Sequence, residues 1–379
     1  MRLSGKLILS LTACLCLGAA LLAAADTFQE NFTSTTFKDA DLTSADWDTG
    51  AVPPATHLSA AYTFSQPSGP VIWGGQINAI GQAGGTWLIG GNKAKIDKYD
   101  GSTFTDLSNQ LDNFQGTNIK AAAYSSDWGY WFVGGESGRL NKYDGSTFTD
   151  QSAGLAWSTN NIYAIAPGSN SGSENFWLIG GGAGSVGKLS KYNGTSFSTV
   201  NGNNWLGAYG NTLPINAIAF NGTYWLIGGS NGSLARYQGG AFTNLTSSLN
   251  WSGAVYAITW DGTRWLIGGS GTKQVVAYDG STFTNYSTLV TINQVNAIAH
   301  NGTYWMFVGQ GTGSAAVAYS WDGSTFTDLS GYLANMSGSN VPLYAVAGNG
   351  TEWLLGGTQA KLNRHTGGAS STTFADRSN

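Results

Sequence analysis

Short apolar or alternating runs recur along most of this chain, and turn residues interrupt them at close intervals. Residues 215–246 show the unit most clearly: INAIAF, NGT, YWLIGG, SNGS, LARY, QGG and AFTNL in succession. Runs of this length, bounded by Gly and Asn clusters, read as strands rather than helices. Four runs in one unit predict a four-stranded antiparallel meander. Asn221-Gly222 and Gly239-Gly240 are both expected to take the positive φ angles of two-residue hairpins.

The same unit appears seven times from Ile77 to the end of the chain. Its clearest column is a tryptophan on the second strand: Trp87, Trp131, Trp177, Trp225, Trp265, Trp305 and Trp353, spaced by 44, 46, 48, 40, 40 and 48 residues. A di-glycine follows in every copy but the sixth, which reads Met306-Phe307-Val308-Gly309. A third-strand aromatic column (Tyr99, Tyr143, Tyr192, Tyr237, Tyr278, Trp321) has His365 in the last copy, and a fourth-strand column is phenylalanine throughout, from Phe104 to Phe374. Four-stranded units at this period predict propeller blades. One meander alone exposes an apolar face on each side, and radial stacking covers both. The fold class expected is therefore all-β: a seven-bladed β-propeller of four-stranded antiparallel blades. The first strands, rich in alanine, suit the innermost position.

The run WLIGGSNGSLARYQGGAF resembles a kelch repeat, with Gly228-Gly229 closing the second strand, Tyr237 matching the kelch tyrosine and Phe242 standing for its tryptophan. The turn from Tyr143 to Thr149, YDGSTFT, is similar to the Asp-box of sialidase-like propellers, though shorter. Propellers of both kinds include enzymes and binding modules, so the resemblance implies architecture and leaves function open.

Residues 1–25 carry a basic leader (Arg2, Lys6), an apolar stretch and Ala23-Ala24-Ala25, the pattern of a secretory signal peptide. This predicts a secreted or cell-surface protein with no membrane span. Both cysteines, Cys14 and Cys16, fall inside it. Leu11 to Cys14 resembles a lipoprotein box, but the apolar run continues beyond Cys14, so no lipid anchor is expected there. Residues 26–76 read as a short N-terminal arm, denser in charge than the rest and broken by Pro53-Pro54, and residues 77–379 as the propeller.

Charge narrows the partners. Only 10% of residues are charged, and removing Arg2 and Lys6 leaves 15 basic against 21 acidic residues, a net −6. With no basic patch, nucleic acid is not an expected partner. A monomer is expected, binding a glycan or a surface protein.

Candidate catalytic chemistry is sparse. Asp100, Asp144, Asp279 and Asp322 precede glycine in identical turns, which is turn chemistry before it is calcium binding. Among the ten Asn-x-Ser/Thr sequons, those at Asn193, Asn221, Asn301 and Asn349 are N-G-T turn repeats of the same kind. Arg139, Arg236, Arg264, Arg364 and Arg377 occupy unrelated columns, as do Glu136, Glu174 and Glu352, so neither an arginine cluster nor a carboxylate pair is selected. His57, His300 and His365 are scattered without metal-ligand spacing, and His300 ends an inner strand near the channel. No enzyme, cofactor or metal is expected.

The candidate site is a loop-face ligand site. Asn78, Lys120, Tyr163, Asn216, Tyr256, Asn296 and Tyr344 hold one position at the start of each inner strand and would ring the mouth of the axial channel. Amides, phenols and one amine suit a neutral polar ligand such as a glycan. Trp205 and Tyr209, in the insertion at 201–214, would stack on it. Phe114, Trp157 and Trp251 either serve the same purpose or form a wedge between blades. Their shared spacing after Leu111, Leu155 and Leu249 favours the wedge. The competing class is a glycoside hydrolase or lyase with acids over the channel, and a third reading is a purely structural surface protein.

Overall fold

Each copy of the repeat is one antiparallel sheet in the computed structural model of the chain, and strand order in every sheet is sequence order. The structure describes residues 73–169, 174–184, 186–200, 213–333, 336 and 340–366, with the backbone of Phe374–Asp376. The leader and nearly all of the expected arm lie outside these residues, as does most of the insertion at 201–214. The innermost strands are Ile77–Ala83, Ile119–Ser125, Asn161–Pro167, Ile215–Phe220, Val255–Trp260, Gln294–His300 and Leu343–Gly348. Each touches its neighbours in turn, and the last touches the first, so seven blades close a ring. The seventh blade is built from four consecutive strands of its own.

The aromatic columns supply the core. All seven tryptophans of the second-strand column are buried, at most 4% exposed. Next to them the third- and fourth-strand aromatics stack across the hairpin, from Tyr278–Phe283 at 4.3 Å to Trp321–Phe326 at 5.2 Å between ring centroids. A buried phenol needs a partner. Tyr99, Tyr143, Tyr192 and Tyr278 each donate to the carbonyl of the glycine two residues on, inside the turn they help to build. The residue before the tryptophan crosses to the next blade. Tyr130 packs on Trp177, Phe176 on Trp225 and Tyr224 on Trp265, each at 5.6 Å, and the Trp265 indole N–H donates to the Tyr224 hydroxyl at 3.0 Å. A third-strand cation covers the same rings: Lys142 over Tyr130, Lys191 over Phe176 and Arg236 over Tyr224. In the fifth blade the cation moves to the crossing position itself, where Arg264 lies over Trp321.

Close approach explains the di-glycine. A Cβ on Gly90, Gly134, Gly180, Gly228, Gly268 or Gly356 would come within 2.4–2.8 Å of a γ-methyl of the next blade's inner strand, on Ile119, Ile162, Ile215, Val255, Val295 and Ile77 respectively. A Cβ on the second glycine would strike a carbonyl at the entry to its own blade's inner strand, as Gly135 would strike that of Asn118. The sixth blade breaks the pattern with Val308, and the seventh compensates. There Leu343 replaces the β-branched residue and Val346 replaces an isoleucine, and both share a cluster with Val308.

The wedge reading of Phe114, Trp157 and Trp251 holds: all three are at most 5% exposed and lie between blades, not on the surface. Trp73 occupies the equivalent place, four residues before its inner strand, in the seam between the seventh and first blades. One hairpin differs from expectation. Gly239 and Gly240 both have positive φ and join Gln238 to its partner Ala241 in a two-residue turn. The Asn221-Gly222 connection is a four-residue turn between Phe220 and Trp225, with positive φ only at Gly222. The Asn221 side chain fixes it by accepting from the Thr223 and Tyr224 amides, an arrangement that does not require Asn221 itself to be left-handed.

Candidate functional site

All seven inner strands carry a β-bulge at the same point. Pairing with the second strand skips one residue, between Ile77 and Ala79 in the first blade and at the matching place in each of the others. The skipped residues are Asn78, Lys120, Tyr163, Asn216, Tyr256, Asn296 and Tyr344. A bulge frees a residue from the ladder and re-aims its side chain, and here it turns all seven toward the axis. They line one cavity of about 220 Å³. Beneath them lies a collar of seven alanines (Ala79, Ala121, Ala164, Ala217, Ala257, Ala297, Ala345), then a layer of Ile, Val and Ala. The candidate ring of the sequence thus forms a polar mouth above an apolar throat.

The ring is not uniform, because its amides are already partly engaged. Asn78, Asn216 and Asn296 donate across the seam to the next blade's inner-strand carbonyls, at Ile119 (2.8 Å), Val255 (3.2 Å) and Leu343 (2.6 Å). Asn78 and Asn296 also accept from Gln76 and Gln294, each at 2.6 Å, and Asn78 reaches Asn92. These three asparagines hold blades together. The Tyr163 oxygen accepts from Asn161 at 2.8 Å, leaving its O–H to point elsewhere. Among the described residues, the hydroxyls of Tyr256 and Tyr344 make no hydrogen bond. Burial pushes the Tyr344 phenol above the usual tyrosine range, so it stays a neutral donor. Lys120 approaches Glu136 at 3.7 Å, beyond hydrogen-bond length. Glu136 is already engaged by the Asn118 backbone and side-chain N–H groups, at 3.0 and 2.8 Å.

Other candidate groups lie elsewhere. The four turn aspartates each accept from two backbone amides and a serine hydroxyl at 2.7–2.8 Å. These bonds hold the carboxyls of Asp100 and Asp144 down at about 2. Among the described residues no cluster of His, Cys, Asp or Glu is placed to hold a metal ion. Glu174 is buried and structural, accepting from the Trp225 indole at 3.1 Å and the Gly239 amide at 2.7 Å of the next blade. Glu352 pairs with Arg364. His300 does not line the channel: it packs on Trp305 at 4.7 Å, and burial keeps its imidazole below the ordinary histidine range. Trp205 and Tyr209 lie outside the described residues. Glu136 was weighed in the sequence only as a possible catalytic carboxylate, and the locking residues Gln76, Gln294 and Asn92 were not singled out. Their one signal was position, since each stands beside a bulge or in the turn above it.

No family model matches the chain, and no curated protein does. Among solved structures, the fold is similar to that of YCF48 bound to a D1 peptide, with a TM-score of 0.57 and 11% sequence identity over 80% of this chain and all of that one.

Proposed function

We propose that this chain is an exported, non-enzymatic binding module, kelch-like in its repeat, that takes the end of a glycan into the mouth of its axial channel. The observation that carries this reading is the ring itself: seven bulges aim seven polar side chains into one cavity whose described lining holds no carboxylate. A cavity of about 220 Å³ is smaller than a typical drug-sized pocket, roughly 300–1,000 Å³, so it suits the tip of a larger ligand. The phenols add apolar ring faces of the kind that pack against sugars.

A peptide partner is the second reading, favoured by the peptide-bound state of the similar propeller fold. Strand addition at the mouth is obstructed, because the asparagine amides already occupy inner-edge carbonyls at Ile119, Val255 and Leu343. A glycan array and a panel of chromogenic glycosides test the proposal. Binding without turnover is expected, weakened in Tyr256→Ala. Glycoside turnover by the purified chain would replace this reading with the hydrolase one.

A further inference from the structure

The hydrogen bonds already made at the mouth narrow the ligand. Its acceptors are largely used: the Asn78 and Asn296 oxygens take glutamine N–H groups, the Tyr163 oxygen takes Asn161, and Glu136 takes Asn118 twice. One N–H of each asparagine is used as well, in the blade seams, while the Asn216 oxygen and the second N–H of Asn216 and of Asn296 stay open among the described residues. What remains is donor-rich. Tyr163, Tyr256 and Tyr344, on the third, fifth and seventh blades, each keep an O–H, and Lys120 on the second blade keeps its N–H groups, with Glu136 3.7 Å away. A loosely paired ammonium is saturated best by a charged acceptor, since charge-assisted hydrogen bonds are the strong ones.

We infer that the mouth selects a carboxylate, and that the glycan it takes ends in a uronic acid. The inference rests on the glycan reading above and replaces the neutral ligand expected from the ring's composition. That expectation counted three amides as fully available, and the seams take one N–H of each. The whole cavity, alanine collar and apolar layer included, is about 220 Å³, room for little more than one ring-sized group. The carboxylate sits toward the second blade, beside Lys120, with the sugar hydroxyls toward the phenols.

Calorimetric titration of the full chain tests this, with oligogalacturonates and glucuronate-terminated oligosaccharides beside their carboxyl-reduced counterparts. The acidic forms are expected to bind roughly tenfold or more tightly, what one charge-assisted bond is worth, and to weaken with added salt. Lys120→Met should level the two forms. Glu136→Gln should have the opposite effect, strengthening the acidic forms by removing a competing charge while keeping an acceptor for Asn118, with the thermal melt as a control for folding. If reduced or neutral glycans bind as well as the acidic ones, or Glu136→Gln weakens the acidic forms, the carboxylate inference falls and the glycan reading stands. If no glycan binds, whether or not an acidic peptide does, both fall.

Discussion

Asp97 is a carboxyl group where other blades place neutral residues. It is fully buried on the third strand of the first blade, and the matching positions hold Asn141, Ser190, Ala235, Val276, Tyr319 and Asn363. One oxygen accepts from the Trp73 indole at 3.0 Å, and the other is buried without a partner. Burial raises its pKa to about 7; the Trp73 hydrogen bond and Lys95 oppose this, and Asp106 across the strand pair adds to it. The folded protein therefore keeps this proton up to about pH 7, whereas the unfolded chain releases it near 3.8. The stability it contributes is complete below the lower value and is lost as pH rises through the upper one, the reverse of a salt-bridged carboxylate. The span amounts to roughly 4 kcal/mol. Urea unfolding at pH 5 and pH 8 should show Asp97→Asn gaining on the parent chain as pH rises. Parallel stability profiles for the two proteins would mean that Asp97 ionises normally.

At the scale of the strand, much was legible because the repeat supplies its own comparison. Seven aligned copies identify the tryptophan column, the stacked aromatic pairs and the ring at the start of each inner strand without any relative of the chain. What the columns could not show is which polar groups are free. The asparagines of the ring look fully available in sequence, and each gives one N–H to a carbonyl of the next blade, a contact 39 to 47 residues away. The turn at Asn221 was misjudged because Asn-Gly suits both a two-residue hairpin and a longer turn fixed by the asparagine side chain. The broken di-glycine of the sixth copy was visible, but its cause, the paired change to Leu343 and Val346, lies in the next blade. That pairing can be transplanted. Gly268→Val would drive its side chain into Val295 and Ile298, whose atoms lie 2.6 and 2.7 Å from the added Cβ. Overpacking of this kind costs about 3 kcal/mol. Adding Val295→Leu and Ile298→Val copies the sixth seam into the fifth and should recover most of the loss in a thermal melt. If the three changes are simply additive, the compensation is not local to the seam.

A ring of blades must be closed where the chain's two ends meet, and many-stranded rings can do so by sharing a sheet between them. Here the seventh blade uses its own four strands, ending at Phe374–Asp376, so no shared sheet joins it to the first blade among the described residues. The seam is fastened by side chains and one short segment. Trp73 is buried between the last and first blades against Ile77, Ala360 and Leu362. Its ring covers Gly91, where even a methyl group would collide with it, and the Gly75 carbonyl accepts from the Ala360 amide. Trp157 performs the same task inside the ring, donating its indole N–H to the Ser190 hydroxyl at 3.2 Å on the blade that follows. The expected boundary at residue 77 therefore divides the seam, because the segment before it carries the closing wedge. Truncation tests what the segment before residue 77 contributes. A chain beginning at residue 71 retains Trp73 and should keep one cooperative melt. One beginning at residue 77 loses the wedge, as does Trp73→Ala in the full chain, and each should lose roughly 3–5 kcal/mol, the cost of emptying a large aromatic site. The losses should add little when Trp73→Ala is compared with the shorter chain, since both remove the same contact. Full stability in the chain starting at residue 77 would place the closure in the sheets alone and leave Trp73 a passenger in the seam.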